Sequence, residues 1–202
     1  MNKILVLKIM PLLMLFLFTT AGCHLFGADS DADVMSKLNT SIEELTGGAF
    51  EVPLHDDYPL VYAFVRKPPV EADNGPYFIT LQYSIDDVEL TKVFEDEAMI
   101  KEVEESQGIS ILYGPYEGTS PIMIEYSPVF KDAEFSGADE TGSWNINGHE
   151  VEYGHIDRQG REVIAAYLNL DEAGINATYL LSDEFTEEDA KEFTAFLVNE
   201  VY

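Results

Sequence analysis

The run His149-Glu150-Val151-Glu152-Tyr153-Gly154-His155-Ile156-Asp157 places two imidazoles and three carboxylates within nine residues. On a helix such a set could close on a metal ion. On a strand it cannot: His149 and His155 share a face but stand six residues apart, roughly 20 Å at ~3.3 Å per residue against metal–nitrogen bonds of ~2 Å. Glu150 and Glu152 fall on the opposite face, where carboxylates are ordinarily solvated, so no metal site is expected there. Asp29, Asp31 and Asp33 have the spacing of the first ligands of a calcium loop. Val34 then stands where that loop needs glycine, and Thr40 where it needs a bidentate glutamate; helix capping accounts for the acids better. His55-Asp56-Asp57 would pair a base with an orienting acid, yet no nucleophile motif accompanies it, and turn chemistry explains the run. The chain holds no G-x-S-x-G, phosphate-cradling loop or H-E-x-x-H. Tyr113, Tyr116 and Tyr126 surround the glycine-rich stretch YGPYEGTSP and form a possible binding patch for a protein or glycan. Their competing use is ordinary packing in the core and at sheet edges.

The elements that would position these groups are readable from periodicity. Val34, Met35, Leu38, Ile42 and Leu45 fall in one stripe at ~100° per residue, capped by Ser30 or Asp31 and stopped by Gly47-Gly48. Tyr58 to Val65 is rich in strand formers, and Tyr77 to Ser84 alternates apolar with polar. Residues 94–106 read as a helix carrying Met99, Ile100 and Val103 on one side. Ile122 to Ser127 repeats the earlier alternation, IMIEYS against ITLQYS, as two strands of one sheet would. The acidic stretch 128–143 reads as loop. Asn147-Gly148 is a strong two-residue hairpin signal because both residues tolerate φ > 0. It places Ile146 opposite His149 and Trp144 opposite Val151, with Ser143, Asn145, Glu150 and Glu152 on the polar face. Asp157-Arg158-Gln159-Gly160 and Asp171-Glu172-Ala173-Gly174 turn the chain through strands at 162–170 and 175–181, completing a four-strand meander. Thr186 caps a last helix whose first turn, Glu187-Glu188-Asp189, complements the helix dipole. The expected fold class is α+β: a single, mostly antiparallel twisted sheet with N-terminal and C-terminal helices packed on it.

The amino terminus speaks to location. Lys3 and Lys8 precede ten apolar residues, Ile9 to Phe18, within the ~7–15 of a signal-peptide core and short of the ~20 needed to span a bilayer. Thr20-Ala21-Gly22-Cys23 follows, and this resembles the bacterial lipoprotein signal, with Thr20 in place of the usual leucine. The resemblance implies cleavage before Cys23 and lipidation of its thiol. The expected organisation is a signal peptide at 1–22, a lipidated tether at 23–30 and one extracytoplasmic domain at 31–202. Cys23 is the only cysteine, so no disulfide within the chain is possible. Removing residues 1–22 leaves nine basic against 38 acidic residues, a formal charge of −29. Such an excess argues against nucleic acid and anionic headgroups as direct partners, since each is a polyanion.

From Trp144 onward, the tryptophan-bearing strand, the Asn-Gly hairpin, TYLLS and the acidic-capped helix FTEEDAKEFTAFL resemble a group of functionally uncharacterised lipoproteins of Gram-positive bacteria. The resemblance implies a small sheet-and-helix domain and supplies no catalytic residues. The sequence therefore leads to the expectation of a monomeric, lipid-anchored protein on the extracytoplasmic face of the cell membrane. Its role would be non-catalytic binding or regulation in the cell envelope, with an envelope protein as possible partner and no cofactor. The alternative is a secreted cation-dependent hydrolase using surface carboxylates such as Glu150 and Glu152, or His55.

Overall fold

The computed structural model describes residues 31–48, 50–66, 76–86, 91–94, 96–131, 137–157 and 160–202. The signal segment, Cys23, Asp29 and Ser30 lie outside them. Helix α1 (Asp31–Thr46) leads into β1 (Leu60–Arg66) and β2 (Phe78–Tyr83), followed by α2 (Glu97–Gln107), β3 (Ile109–Tyr113) and β4 (Ile122–Ser127). After a 3-10 turn at Pro128–Phe130 come β5 (Glu140–Ile146), β6 (His149–Asp157), β7 (Glu162–Asn169), β8 (Gly174–Leu180) and α3 (Glu187–Val201). All eight strands join one sheet in the order β3-β1-β2-β4-β8-β7-β6-β5, every pairing antiparallel. The α+β fold expected from the sequence is the one observed, and β5 to β8 form the meander.

Alternation gives the sheet two unlike faces. The inner face carries Val65, Leu81, Ile124, Ala177, Ala166 and Val151 among others, packed against Leu38 and Ile42 of α1 and Phe193 and Leu197 of α3. Both helices present one apolar stripe to it, which is why α1 needs only every third or fourth residue to be apolar. Gly47 ends α1 at φ 72°, its N–H bonding to the Glu43 carbonyl at 2.8 Å. At α3, Thr186 accepts from the Asp189 N–H while the Asp189 carboxylate accepts from the Thr186 N–H, a reciprocal capping box.

The two matching stretches lie side by side. Ile79 pairs with Tyr126, Leu81 with Ile124 and Tyr83 with Ile122. Each also ends alike, with Ser84 and Ser127 accepting the N–H two residues on, from Asp86 and Val129. The hairpin at Asn147-Gly148 (φ 52° and 89°) has the expected register, Ile146 opposite His149 and Trp144 opposite Val151.

Three boundaries and one strand depart most from the sequence reading. Helix α2 starts at Glu97 because the Asp96 side chain accepts the Ala98 N–H and so caps it there. Strand β1 starts at Leu60, since Tyr58 leaves the sheet to pack on Phe193 and Phe185. Strand β5 starts at Glu140, inside the stretch read as loop. Its small residues hide a packing role: a Cβ at Gly142 would lie 2.6 Å from the Tyr153 ring, which stacks on Trp144 at 4.4 Å. Strand β3 has no counterpart in the sequence reading; it is short and paired on one side only. Its outward Ile111 N–H donates to the Glu104 carboxylate of α2 at 2.8 Å, which blunts that edge against further pairing.

Candidate functional site

The outer face of the sheet is where polar side chains assemble. Register places Phe64, Thr80, Glu125, Asn176, Tyr167 and Glu152 in one row across β1, β2, β4, β8, β7 and β6. Directly paired residues hold their Cβ atoms ~4.5–5.5 Å apart, so each member stands beside the next. Thr80 is 1% exposed, while Glu125 and Asn176 are half-buried. The Asn176 amide nitrogen donates to Glu125 Oε2 at 3.5 Å, which fixes that carboxamide with its oxygen turned elsewhere. Thr80 Oγ1 and Asn176 Oδ1 are both buried without a hydrogen-bond partner. Two orphan polar atoms therefore flank one carboxylate, an unusual arrangement given that buried polar groups are nearly always satisfied. Tyr167 feels the same charge: burial first, and the Glu125 carboxylate second, push its phenol above the ordinary range.

One side of the row is walled by aromatics. The 3-10 turn after β4 sets the Phe130 ring 5.7 Å from Phe78 and 6.1 Å from Tyr167. Its backbone lies on Gly174, where a Cβ would meet the Phe130 carbonyl oxygen at 2.4 Å. Lys131 secures the turn by donating to the Asp171 carbonyl at 2.5 Å. The sequence reading did not single out this row. Thr80 and Glu125 occupy polar slots of ITLQYS and IMIEYS, and only the antiparallel register brings them together.

The candidates named from sequence are dispersed. Tyr113 and Tyr116 pack together at 5.0 Å beside the β3 edge. Tyr126 is not with them: it stands on β4 with β2 and β1 between, its ring on Phe50 at 4.6 Å against the inner core. His149 stacks on Tyr202 at 4.1 Å at one end of β6. His155, on the same face at the other end, has Nε2 3.7 Å from Glu187 Oε2. It borders an open cavity of about 430 Å³ with Glu162, Asp183, Thr186 and Glu187. Glu150 and Glu152 are exposed on the outer face. His55 lies on the other side of the sheet, its ring against Tyr58, Phe193 and Phe196, and its Nδ1 accepts the Asp57 N–H at 3.0 Å. Among the described residues no group of three or more His, Cys, Asp or Glu gathers where a metal ion could be held. Asp31 begins α1 and Asp33 lies in its first turn.

No protein-family model matches the chain, and neither a curated protein nor a solved structure shows significant similarity to it. What the outer row can do follows from its own chemistry. It sets one half-buried carboxylate, Glu125, beside an aromatic wall on the face opposite α1 and α3.

Proposed function

We propose that this protein is a lipid-anchored binding protein on the extracytoplasmic face of the cell membrane, acting without catalysis and contacting its ligand through the outer face of the sheet. The observation that carries the binding role is the half-buried Glu125 carboxylate beside the rings of Phe78, Phe130 and Tyr167, on the sheet face opposite α1 and α3. The address is supported by the basic start, the ten apolar residues and the small-residue run up to Cys23. Acyl chains on Cys23 would tether the domain, while its excess of acids holds the body off an anionic bilayer.

Metabolic labelling with a fatty acid tests the address. Native chain should take up label and partition with membranes, and Cys23→Ser should do neither. Label retained in Cys23→Ser, or a native chain that keeps Met1, would remove the anchor. Crosslinking in intact cells, followed by membrane extraction, should recover a defined envelope component with the native chain.

A further inference from the structure

The two edges of the sheet are unlike. At the β3 edge the outward Ile111 N–H is taken up by Glu104. The β5 edge runs Glu140-Thr141-Gly142-Ser143-Trp144-Asn145-Ile146, with no lysine or proline, the residues that ordinarily blunt an edge. The Asn147-Gly148 turn settles which of its backbone groups face outward. A two-residue turn with both φ positive makes Ile146 and His149 a hydrogen-bonded pair. The alternation of an antiparallel ladder then does the same for Trp144 with Val151 and for Gly142 with Tyr153. The N–H and C=O groups of Thr141, Ser143 and Asn145 therefore point away from β6. Among the described residues no group bonds to them. Their side chains are short, exposed and on the outer face. Ser143 is paired with Glu152 and Asn145 with Glu150, both carboxylates also exposed.

A strand added at this edge would lie ~9.6 Å from β6, two spacings of ~4.8 Å. Its residues bonded to Ser143 and Asn145 would carry their side chains on the outer face. A lysine or arginine there can extend over the short edge side chains toward Glu152 and Glu150. A second copy of this chain lacks that fit: its β5 has no cation to offer, and each chain carries −29 on residues 23–202. We propose that the β5 edge takes up an extended segment of a partner protein as an added strand, with lysine or arginine at alternate positions facing Glu150 and Glu152. The backbone ladder supplies the hold, and the carboxylates select the segment. In the sheet order β8, β7 and β6 separate β5 from the strand of Glu125. The proposal thus goes beyond the outer-face reading and depends on neither that carboxylate nor Cys23.

The probe is the peptide acetyl-Thr-Lys-Val-Lys-Val-Lys-Thr-amide, titrated into the full chain in non-ionic detergent. NMR follows the backbone amides of Thr141, Ser143 and Asn145. Saturable shifts in the millimolar range or below are expected, with slower hydrogen exchange at those amides. An acidic protein attracts any basic peptide, so two further peptides of the same charge decide whether the backbone is used. N-methylation of the lysines removes the N–H groups aimed at β5 and should abolish the protection. N-methylation of the valines alters groups that point away and should leave it. Glu150→Gln with Glu152→Gln should weaken binding about fivefold, as loss of two exposed charge pairs allows. A peptide with glutamate in place of lysine should not bind. Absence of protection at saturation, or equal binding of both N-methylated peptides, overturns strand addition. Unchanged affinity in the double variant overturns the choice of a basic segment. Amides already protected in the peptide-free chain, with a dimer in sedimentation, overturn the proposal in favour of a second copy. Should the peptide fail while Cys23 labelling and partner recovery succeed, the edge site falls and the anchored binding role stands.

Discussion

Tyr83 and Tyr179 flank Ile122 in one inner-face row, and neither phenol reaches water. Tyr83 donates to the Pro53 carbonyl at 2.8 Å, tying the segment after α1 to β2. Thr194 gives its own proton to the Ala190 carbonyl at 2.8 Å, so the 2.7 Å contact between Tyr179 and Thr194 has the phenol as donor. Both hydroxyls thus work only when protonated, and burial pushes both far above the ordinary value of 10.0. The sign follows from linkage. Above that value the unfolded chain releases these protons and the folded one keeps them, so stability present below pH 10 falls as pH rises past it. Each buried phenol contributes a slope of about 1.4 kcal/mol per pH unit. Denaturant melts should give a flat stability up to about pH 9 and a decline above 10. Tyr83→Phe with Tyr179→Phe should flatten that decline without abolishing it, because burial also raises Tyr58, Tyr62 and Tyr126. An identical slope in the double variant would show that other groups control the alkaline limb. Gly174→Ala probes a second single-residue constraint. Its methyl would collide with the Phe130 backbone rather than with a movable side-chain tip, so the turn must lift from β8. The expected loss is about 1–3 kcal/mol, with the Phe130–Tyr167 contact weakened.

Among the elements, α3 depends most plainly on its cap. Thr186→Ala removes one half of the box with Asp189 and should cost about 1 kcal/mol, within the ~0.5–2 seen for such changes, read as a lower midpoint in urea at unchanged slope. A change below a few tenths would mean that packing of Phe193 and Leu197 alone fixes the start of the helix. Elements with a strong local signature were legible in the sequence: the Asn147-Gly148 hairpin, the alternating strands at 79–83 and 122–127, and the stripes of α1 and α3. Their period and their punctuation are both local. Strand β3 was not legible, since ISILY is short, lacks alternation and is held by partners on β1 and by Glu104 from α2. The start of β5 was hidden because Gly142 and its acidic neighbours read as loop, while the reason for the glycine is a ring from the next strand. The outer row was illegible for the same cause. Thr80, Glu125 and Asn176 are up to 96 residues apart in the chain, and pairing alone makes them neighbours. The tyrosines near YGPYEGTSP were close in sequence, yet strand order sends Tyr126 to the inner core and leaves Tyr113 with Tyr116 at an edge.

For the whole molecule, the balance of charge sets behaviour that no single contact does. Nine bases cannot pair 38 acids in residues 23–202. The ion pair Lys101–Glu105 at 3.8 Å is about three-quarters exposed on both sides, so it adds little. Most carboxylates are therefore solvated and repel one another around one sheet, which destabilises the compact state relative to the expanded chain. Screening relieves that repulsion. Raising monovalent salt from ~0.01 M to ~0.15 M shortens the Debye length from ~30 Å to ~8 Å, below the span of the sheet. Each kcal/mol so gained should raise the melting temperature by about 2–4 °C for a domain of this size. The expected result is a rise of several degrees in sodium chloride, matched by potassium chloride, because the effect is one of ionic strength. Calcium at equal ionic strength should add nothing further if the acids act only as a diffuse field. A melting temperature that falls or stays level with added salt would mean that the attractive pairs outweigh the excess of like charge. A rise specific to calcium would mean that some of these carboxylates converge on an ion, and the acidic surface would then have a role beyond holding water and counter-ions.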